Sequence, residues 1–508
     1  MSRPLATADE ARRIDRDAAA RGVSTLVLME NAGRGATDAL VARHGDALRR
    51  PLIVGGVGQN GGDAWVVARH LLARGITPRI ALVGARAGIT GDAKANFEAL
   101  LGLGATVIDV ISADTIRALL DGASVIVDGL FGTGLSRPIE GIAAESIAAM
   151  NASGVPIVAL DLPSGIAADT GAVLGVAVRA TTTVTFGADK RGLHQFPGAD
   201  HAGHVIVERL GVPHLVGAQG ALLELADLAR LVPTRAQDAH KGTAGHVLVI
   251  AGSPGHTGAA LLAGLGAARM GAGLVTLAAR PAARAALDAK VIEAMTLEVP
   301  EALEAAIATL LRESHARDAA VLGPGIGLDA TTRALCVRLA VELDVPAVID
   351  ADALTALEAD PSVLARAKAQ RVLTPHPGEA ARLLGISSAA VQADRYAAAT
   401  ALATRTQQVV ALKGARTVIA SPDGRVSVCP FGTPALGSGG TGDVLAGAIG
   451  ALLARHPARA AAEAGVLAHA RAGELAARTD RGLLAREVAD ALPAALAEAA
   501  ALAEARVA

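Results

Sequence analysis

The chain predicts an α/β protein of two domains, on three observations. A short β-branched run, a glycine-rich loop and ten or more residues of helical periodicity recur in that order, the pattern of parallel strands with helices on both faces. At 508 residues the chain exceeds one ordinary core. The theme lapses between residues 212 and 232 and restarts in GHVLVIAGS at Gly245.

PLIVGGVGQNGGDAWVVARHLLARG gives the first full unit, with a strand to about Gly55, a loop to Asp63 and a helix to Arg74 that stops at Gly75. Further strands are expected at residues 79–83, 124–128, 155–161 and 182–186. LGVPHLVGAQGALLELADLARLVPTR reads as a connection and a short amphipathic piece. The second half carries strands at 247–251, 274–278, 320–322, 347–350, 372–373 and 409–412. TVIASPDGRVSVCP is a hairpin that turns at Asp423-Gly424. From Ala485 the tail is alanine-rich helix, serving packing. The expected division is a domain over 1–215, a linker over 216–232 and a domain over 233–508.

Composition excludes several function classes. A formal charge of -2 gives no pull toward nucleic acid or anionic lipid, and 1% aromatics leaves few stacking platforms for bases. The longest apolar run, 444–454, ends at Arg455, short of a membrane span. The N-terminus lacks the apolar core of a secretory signal. Cys336 and Cys429 have no metal or redox spacing and read as reduced, buried thiols, which points to the cytoplasm. Lysine is scarce: Lys94, Lys190, Lys241, Lys290, Lys368 and Lys413 are all there are. Lys241 and Lys413 each precede a glycine at the edge of an expected strand, a weak hint of phosphate chemistry.

LGSGGTGDVLAG, residues 436–447, concentrates glycine where glycine is costly in a helix. Gly439, Gly440, Thr441 and Gly442 let successive N–H groups converge ahead of a helix, an anion hole suited to phosphate. Asp443 falls in the first helical turn, where the dipole favours any carboxylate. Beside an anion hole, however, it repels phosphate unless it accepts a proton from an attacking hydroxyl. VVALKGART offers Lys413 and a turn of small residues for a nucleotide. GPGIG suits a substrate loop. VIDADAL presents Asp350 and Asp352, and LTPHPGE presents His376 and Glu379, for magnesium or a polar substrate. A lone His376 is more often a satisfied loop histidine.

In the first half, Gly56, Gly58 and Gly61 meet the GxGxxG spacing, but no acidic residue closes a following strand, so the dinucleotide fingerprint is poor. DGLFGTGLSRP and LDLPSG put Asp128 and Asp161 at two other strand ends. Such acids often only cap turns, yet several on one sheet edge favour an active site or a cation.

KGTAGHVLVIAGS, GAALLAGLGAARMGAGLV, GPGIG, DADAL, TPHPGE, ALKGART and GSGGTGDVLAG, in order over 240–455, resemble the ADP/ATP-dependent NAD(P)H-hydrate dehydratases of the ribokinase-like superfamily. GVGQNGGDAW, DGLFGTGLSRP, LDLPSG and LMENAG, over 5–215, resemble the NAD(P)H-hydrate epimerase domain. The resemblance implies a Rossmann-like αβα sandwich followed by a ribokinase-like αβα domain. Together they imply repair of hydrated NADH and NADPH: interconversion of the R and S hydrates, then dehydration of the S hydrate with ADP, releasing AMP and phosphate.

Lys413, Gly414, Ala415, Arg416, Thr417 and Gly442 would hold the nucleotide with Mg2+. Ala259, Gly325, His376 and Asp443 would contact the hydrate, with Asp443 the base. In the epimerase domain Gln59, Asn60, Gly61, Gly62 and Asp63 would bind the hydrate, as would Gly132, Thr133, Gly134, Leu135, Ser136, Arg137, Pro138 and Asp161. Asp161 would move the proton, and Asn60, Asp128 and Ser164 would hold K+. ADP is chosen over ATP because bacterial fused forms resemble ADP users and the composition looks bacterial. A homo-oligomer is a family expectation. One departure is Ala64, where the family usually has glycine. Two rivals stay open: a ribokinase-like small-molecule kinase with an accessory dinucleotide-binding domain, and a scaffold with both sites degenerate.

Overall fold

The computed structural model describes residues 3–212 and 218–505. The chain forms two compact units, Pro4–Gly220 and the chain from Ala221 on. In the first, seven strands run Val107–Val110, Arg79–Val83, Pro51–Gly55, Val125–Gly129, Ile157–Leu160, Thr182–Phe186, His204–Glu208 across the sheet. Every neighbouring pair is parallel. The chain starts at Pro51–Gly55, winds to one edge, then returns to build the other side from Val125–Gly129. These two strands flank the topological switch point, where loops diverge and leave a crevice. Alternation sets the two faces: Ile53 joins one core with Trp65, Leu71 and Phe97, while Leu52 and Val54 join the other with Ile116 and Ile147.

The second unit repeats the plan with a hairpin added. Its strands lie in the order Met295–Glu298, Leu274–Ala279, His246–Ile250, Ala319–Leu322, Ala347–Ile349, Arg371–Leu373, Val409–Leu412, Val418–Ala420, Val426–Val428. The first seven are parallel and the last two close an antiparallel hairpin. Its turn has Gly424 at φ +82°, a left-handed position that suits glycine. The switch point falls between His246–Ile250 and Ala319–Leu322. A core of alanine, valine and leucine gathers around the helices Thr257–Met270, Thr441–Leu453 and Ala458–Ala476. Cys336 and Cys429 are buried free thiols.

Three expectations are corrected. The segment 56–63, read as a loop, is helical from Gln59, since the helix spans Gln59–Ala73 behind Gly58. Part of the expected linker belongs to the second unit: Leu225–Leu231 is a helix whose Leu225 and Leu228 sit in that core, while 213–217 lie outside the described residues. Lys241 is exposed and precedes its strand, so it stands away from the strand ends that carry the loops. The short strands Arg3–Ala6, Asp189–Lys190 and Gly220–Leu222 went unread, as did three longer ones, Val107–Val110, His204–Glu208 and Met295–Glu298. Each of these three is a sheet edge, half covered, so its sequence lacks a continuous apolar run.

Candidate active sites

At the first unit's switch point lies a cavity of about 850 Å³. Its floor depends on close backbone approach. A Cβ on Gly61 would overlap the Gly56 carbonyl oxygen, and one on Gly56 would overlap that of Leu130. These glycines therefore let the helix Gln59–Ala73 start against the strand ends. Ala64 is fully buried and packs where Gly129 leaves room for its methyl group.

Asp128, fully buried, ties two loops together. Its Oδ1 accepts from the Ser164 hydroxyl at 2.7 Å and the Leu130 N–H at 3.2 Å, and its Oδ2 accepts from the Ser164 N–H at 2.9 Å. Burial pushes its carboxyl up to about 6 despite the Ser164 bonds. Asn60 is 6% exposed, and neither its amide oxygen nor its amide nitrogen has a partner. A Cβ on Gly132 would stand 2.8 Å from Asp161 Oδ2 and 3.4 Å from Asn60 Oδ1, so these three positions converge.

Asp161 follows the strand Ile157–Leu160 in a left-handed conformation, φ +62°, uncommon and strained for a residue with a side chain. Its N–H bonds the Val184 carbonyl at 2.8 Å, which fixes the bend. Oδ2 accepts from the Thr133 N–H at 2.9 Å and from the Thr133 hydroxyl. Oδ1 accepts from Lys190 Nζ at 2.6 Å. Lys190 is 2% exposed and also donates to Thr185 Oγ1 at 2.9 Å and the Phe186 carbonyl at 2.7 Å. Burial works to raise the Asp161 carboxyl, but Lys190 and Thr133 outweigh it and hold it below the usual range. Sequence reasoning missed Lys190 as a site residue; its only signal was lysine's rarity here. Gln59, Asn60, Asp63, Gly132, Thr133, Gly134, Leu135, Ser136, Arg137 and Asp161 all line this cavity, whereas Gly61, Gly62 and Pro138 do not.

In the second unit, Gly440 at φ +90° leads into the helix Thr441–Leu453, a turn that glycine alone makes cheaply. Among the described residues, the N–H groups of Gly439, Gly440, Thr441, Gly442 and Asp443 meet no acceptor, so they remain available to an anion. His469 steadies this turn: its Nε2 lies 2.8 Å from the Thr441 carbonyl, and burial keeps it neutral by lowering it to about 4. It too escaped the sequence reading.

Lys413 ends the strand Val409–Leu412 and places Nζ 2.7 Å from Asp350 Oδ1, which also accepts from Thr374 Oγ1 at 2.8 Å. A Cβ on Gly442 would stand 3.4 Å from that ammonium, so lysine and glycine turn face one point. Burial opposes the Lys413 charge, but Asp350, Glu379 and Asp443 raise it above its ordinary value. Asp443 is brought up to about 7 by burial, with Asp350 and Asp352 adding and Lys413 opposing. The Lys413–Gly414 carbonyl turn is gripped by Arg395, which donates to the Leu412 carbonyl at 3.0 Å and that of Lys413 at 3.3 Å. Gly414 and Arg416 take positive φ, and Thr417 Oγ1 closes the turn on the Gly414 carbonyl at 3.0 Å.

His376 caps the helix Pro377–Leu384. Its Nδ1 accepts from the Gly378 N–H at 3.0 Å, and burial, Lys413 and Arg382 lower its pKa. Gly325 lies against Ala259, whose Cβ is 3.0 Å from where a Cβ on Gly325 would stand. The Gly327 N–H reaches Asp352 Oδ2 at 2.9 Å, which links this loop to the carboxylates around Asp443. The structure thus groups Lys413, Asp350 and Asp443, and separately pairs Ala259 with Gly325.

Comparison with known proteins places both units in known families. Residues 25–192 match the family described as YjeF-related protein N-terminus, and residues 247–494 match the NAD(P)H-hydrate dehydratase family. The chain is 42% identical over 458 residues to the bifunctional NAD(P)H-hydrate repair enzyme Nnr of Moorella thermoacetica, covering 87% of this chain and 86% of that protein. It is 40% identical over 439 residues to the enzyme of the same name from Coxiella burnetii, covering 86% and 87%. A Bacillus subtilis ADP/ATP-dependent NAD(P)H-hydrate dehydratase, co-crystallised with ATP and Mg2+, is 30% identical with a TM-score of 0.47, covering 54% of this chain and 97% of that one. With both halves matched and relatives of about 40% identity aligned over more than four fifths of either chain, this chain belongs to the family of bifunctional NAD(P)H-hydrate repair enzymes.

Proposed function

We propose that the first unit interconverts the R and S hydrates of NADH and NADPH and that the second dehydrates the S hydrate at the expense of ADP. The observation that carries the second activity is the placing of Asp443, its carboxyl raised to about 7 by burial, beside unpaired N–H donors and the Lys413 ammonium. The hydrate's hydroxyl gives its proton to Asp443 as its oxygen bonds the β-phosphorus of ADP, and the bond to AMP breaks. The N–H groups and Lys413 stabilise the charge on the transferred group. Phosphate then leaves with the C–O bond, a proton is lost from the adjacent carbon, and the reduced ring is restored.

No cluster of three metal-ligating side chains occurs among the described residues. Magnesium that arrives on nucleotide phosphates needs only one or two carboxylates, and Asp350, Asp352 and Glu379, whose charges act on Asp443 or Lys413, are the candidates to hold it. When bound, it neutralises phosphate charge. In the first unit the orphaned Asn60 amide and the buried Asp128 carboxylate suit a single large cation, and we assign K+ to Asn60, Asp128 and Ser164. When bound, it supplies positive charge next to Asp161. No helix among the described residues is long and apolar enough to cross a membrane; with two free thiols, we place the enzyme in the cytoplasm.

The test is product stoichiometry with pure S hydrate and ADP: AMP, phosphate and reduced nicotinamide should appear in equal amounts. A phosphorylated hydrate that accumulates and persists would instead make this unit a kinase.

A further inference from the structure

We propose that a separate cavity of the second unit binds the adenosine end of the hydrated dinucleotide, and that Arg280 in it selects the 2′-phosphate of NADPH hydrate; this rests on the repair reading above. The cavity, of about 340 Å³, lies at the carboxyl ends of the strands His246–Ile250, Leu274–Ala279 and Ala319–Leu322. Counted in chain order from His246–Ile250, the first six parallel strands of this unit stand 3-2-1-4-5-6 across the sheet. In that order a dinucleotide lies across the crevice between strands 1 and 4, with its phosphates at the loop after strand 1 and its adenosine ribose at the end of strand 2. The loop after strand 1 turns through Gly252 and Gly255, both at positive φ, into the helix Thr257–Met270. Arg280 is the first residue after strand 2. An acid there would bind the ribose 2′-hydroxyl, whereas an arginine suits a 2′-phosphate.

The Arg280 guanidinium is held in place with its donors unspent. Its Nη2 is buried and meets no acceptor among the described residues. Two carboxylates come near, Glu301 at 3.7 Å from Nε and Asp329 at 3.8 Å from Nη1, both beyond hydrogen-bond reach. Asp329 spends one oxygen on the Thr332 N–H and the other on its hydroxyl. Glu301 is 64% exposed, so water and salt screen its charge. The planar fork therefore remains open to two oxygens of one phosphate. Ile250, Ala278, Val299, Ile326 and Leu335 supply an apolar wall beside it, which suits the face of a purine.

The cavity and the reaction centre share a loop. His256 lines the cavity, and its carbonyl oxygen is 3.0 Å from where a Cβ on Gly325 would stand. Gly327 lines it too, and its N–H bonds Asp352 Oδ2 at 2.9 Å, a carboxylate close enough to act on Asp443. A dinucleotide with its hydrated ring at Gly325 and Asp443 thus extends along residues 325–327 into the cavity. ADP is held elsewhere, at Lys413, which follows the strand Val409–Leu412 on the other side of the sheet order.

In the full-length enzyme with ADP, Arg280→Ala is expected to lower kcat/KM for the S hydrate of NADPH about 10- to 100-fold more than for that of NADH, mainly through KM. Arg280→Lys, which keeps the charge but loses the fork, is expected to lose part of that preference; should Arg280→Ala fail to fold in a thermal melt, this loss decides. Equal losses on the two hydrates, or none, overturn the assignment. A second readout needs no turnover. With the nucleotide site saturated by ADP, adenosine 2′,5′-bisphosphate is titrated into wild type and Arg280→Ala. Wild type is expected to bind it more tightly, by about 10- to 100-fold, and equal affinity overturns the site. A wild-type chain that dehydrates neither hydrate would sink the repair reading of this unit, and the bisphosphate titration would still decide whether Arg280 reads a 2′-phosphate.

Discussion

Asp443 sits in the first turn of its helix, where burial above all, then Asp350 and Asp352, raise its carboxyl to about 7 against Lys413. As the base it must be ionised, so dehydration should rise with pH through about 7 and level off above it, a limb that a pH–rate profile reads directly. Asp443→Asn should cost about 10²–10⁴ in kcat while ADP still binds, which kinetics and equilibrium titration separate. The same shift bears on stability. The native carboxyl is raised from 3.8 to about 7, so the native state binds the proton more tightly and stability falls as pH rises through that window. Asp443→Asn removes this penalty, and its unfolding free energy at pH 8, read from denaturant melts, should exceed wild type by an amount bounded at about 4 kcal/mol from 1.36 kcal/mol per pKa unit. Asp443, Lys413, Asp350 and His376 were legible because short motifs carry them at strand and helix ends. Lys190 and His469 were not, because their partners lie 29 and 28 residues away in sequence and meet only in the folded unit.

The glycines before Asp63 show how an element can be placed by the wrong property of the right residue. Their sequence reads equally as a flexible loop or as a helix start pressed against backbone, and only the approach of Gly61 to Gly56 decides for the helix. Gly61→Ala should destabilise the first unit by about 1–3 kcal/mol through overpacking and reduce epimerisation, as thermal melts and turnover of the R hydrate would report. Gly440→Ala should lose about 1–2 kcal/mol from left-handed strain alone, with a raised ADP Kd because the N–H groups at that turn re-aim. Central strands and the Asp423-Gly424 hairpin were readable from β-branched runs and turn chemistry. The edge strands were not, since partial exposure admits Asp109, His204 and Glu298 and dissolves the pattern.

Each unit carries its own switch point, and the candidate residues gather at the carboxyl ends of its strands. That edge was predictable from alternation alone; which loops meet there was not, because strand order is fixed by packing. Two stereochemical tasks in one chain follow from the chemistry of the damage: a dehydratase selective for the S hydrate leaves the R hydrate untouched unless another site inverts it. The most direct test follows reduced-nicotinamide absorbance from a mixture of both NADH-hydrate epimers with ADP and magnesium. The account predicts complete recovery, faster than spontaneous epimerisation allows, and in Asp161→Asn a recovery that stalls near the S fraction. No recovery with ADP or ATP, in folded protein that still binds them, would contradict it.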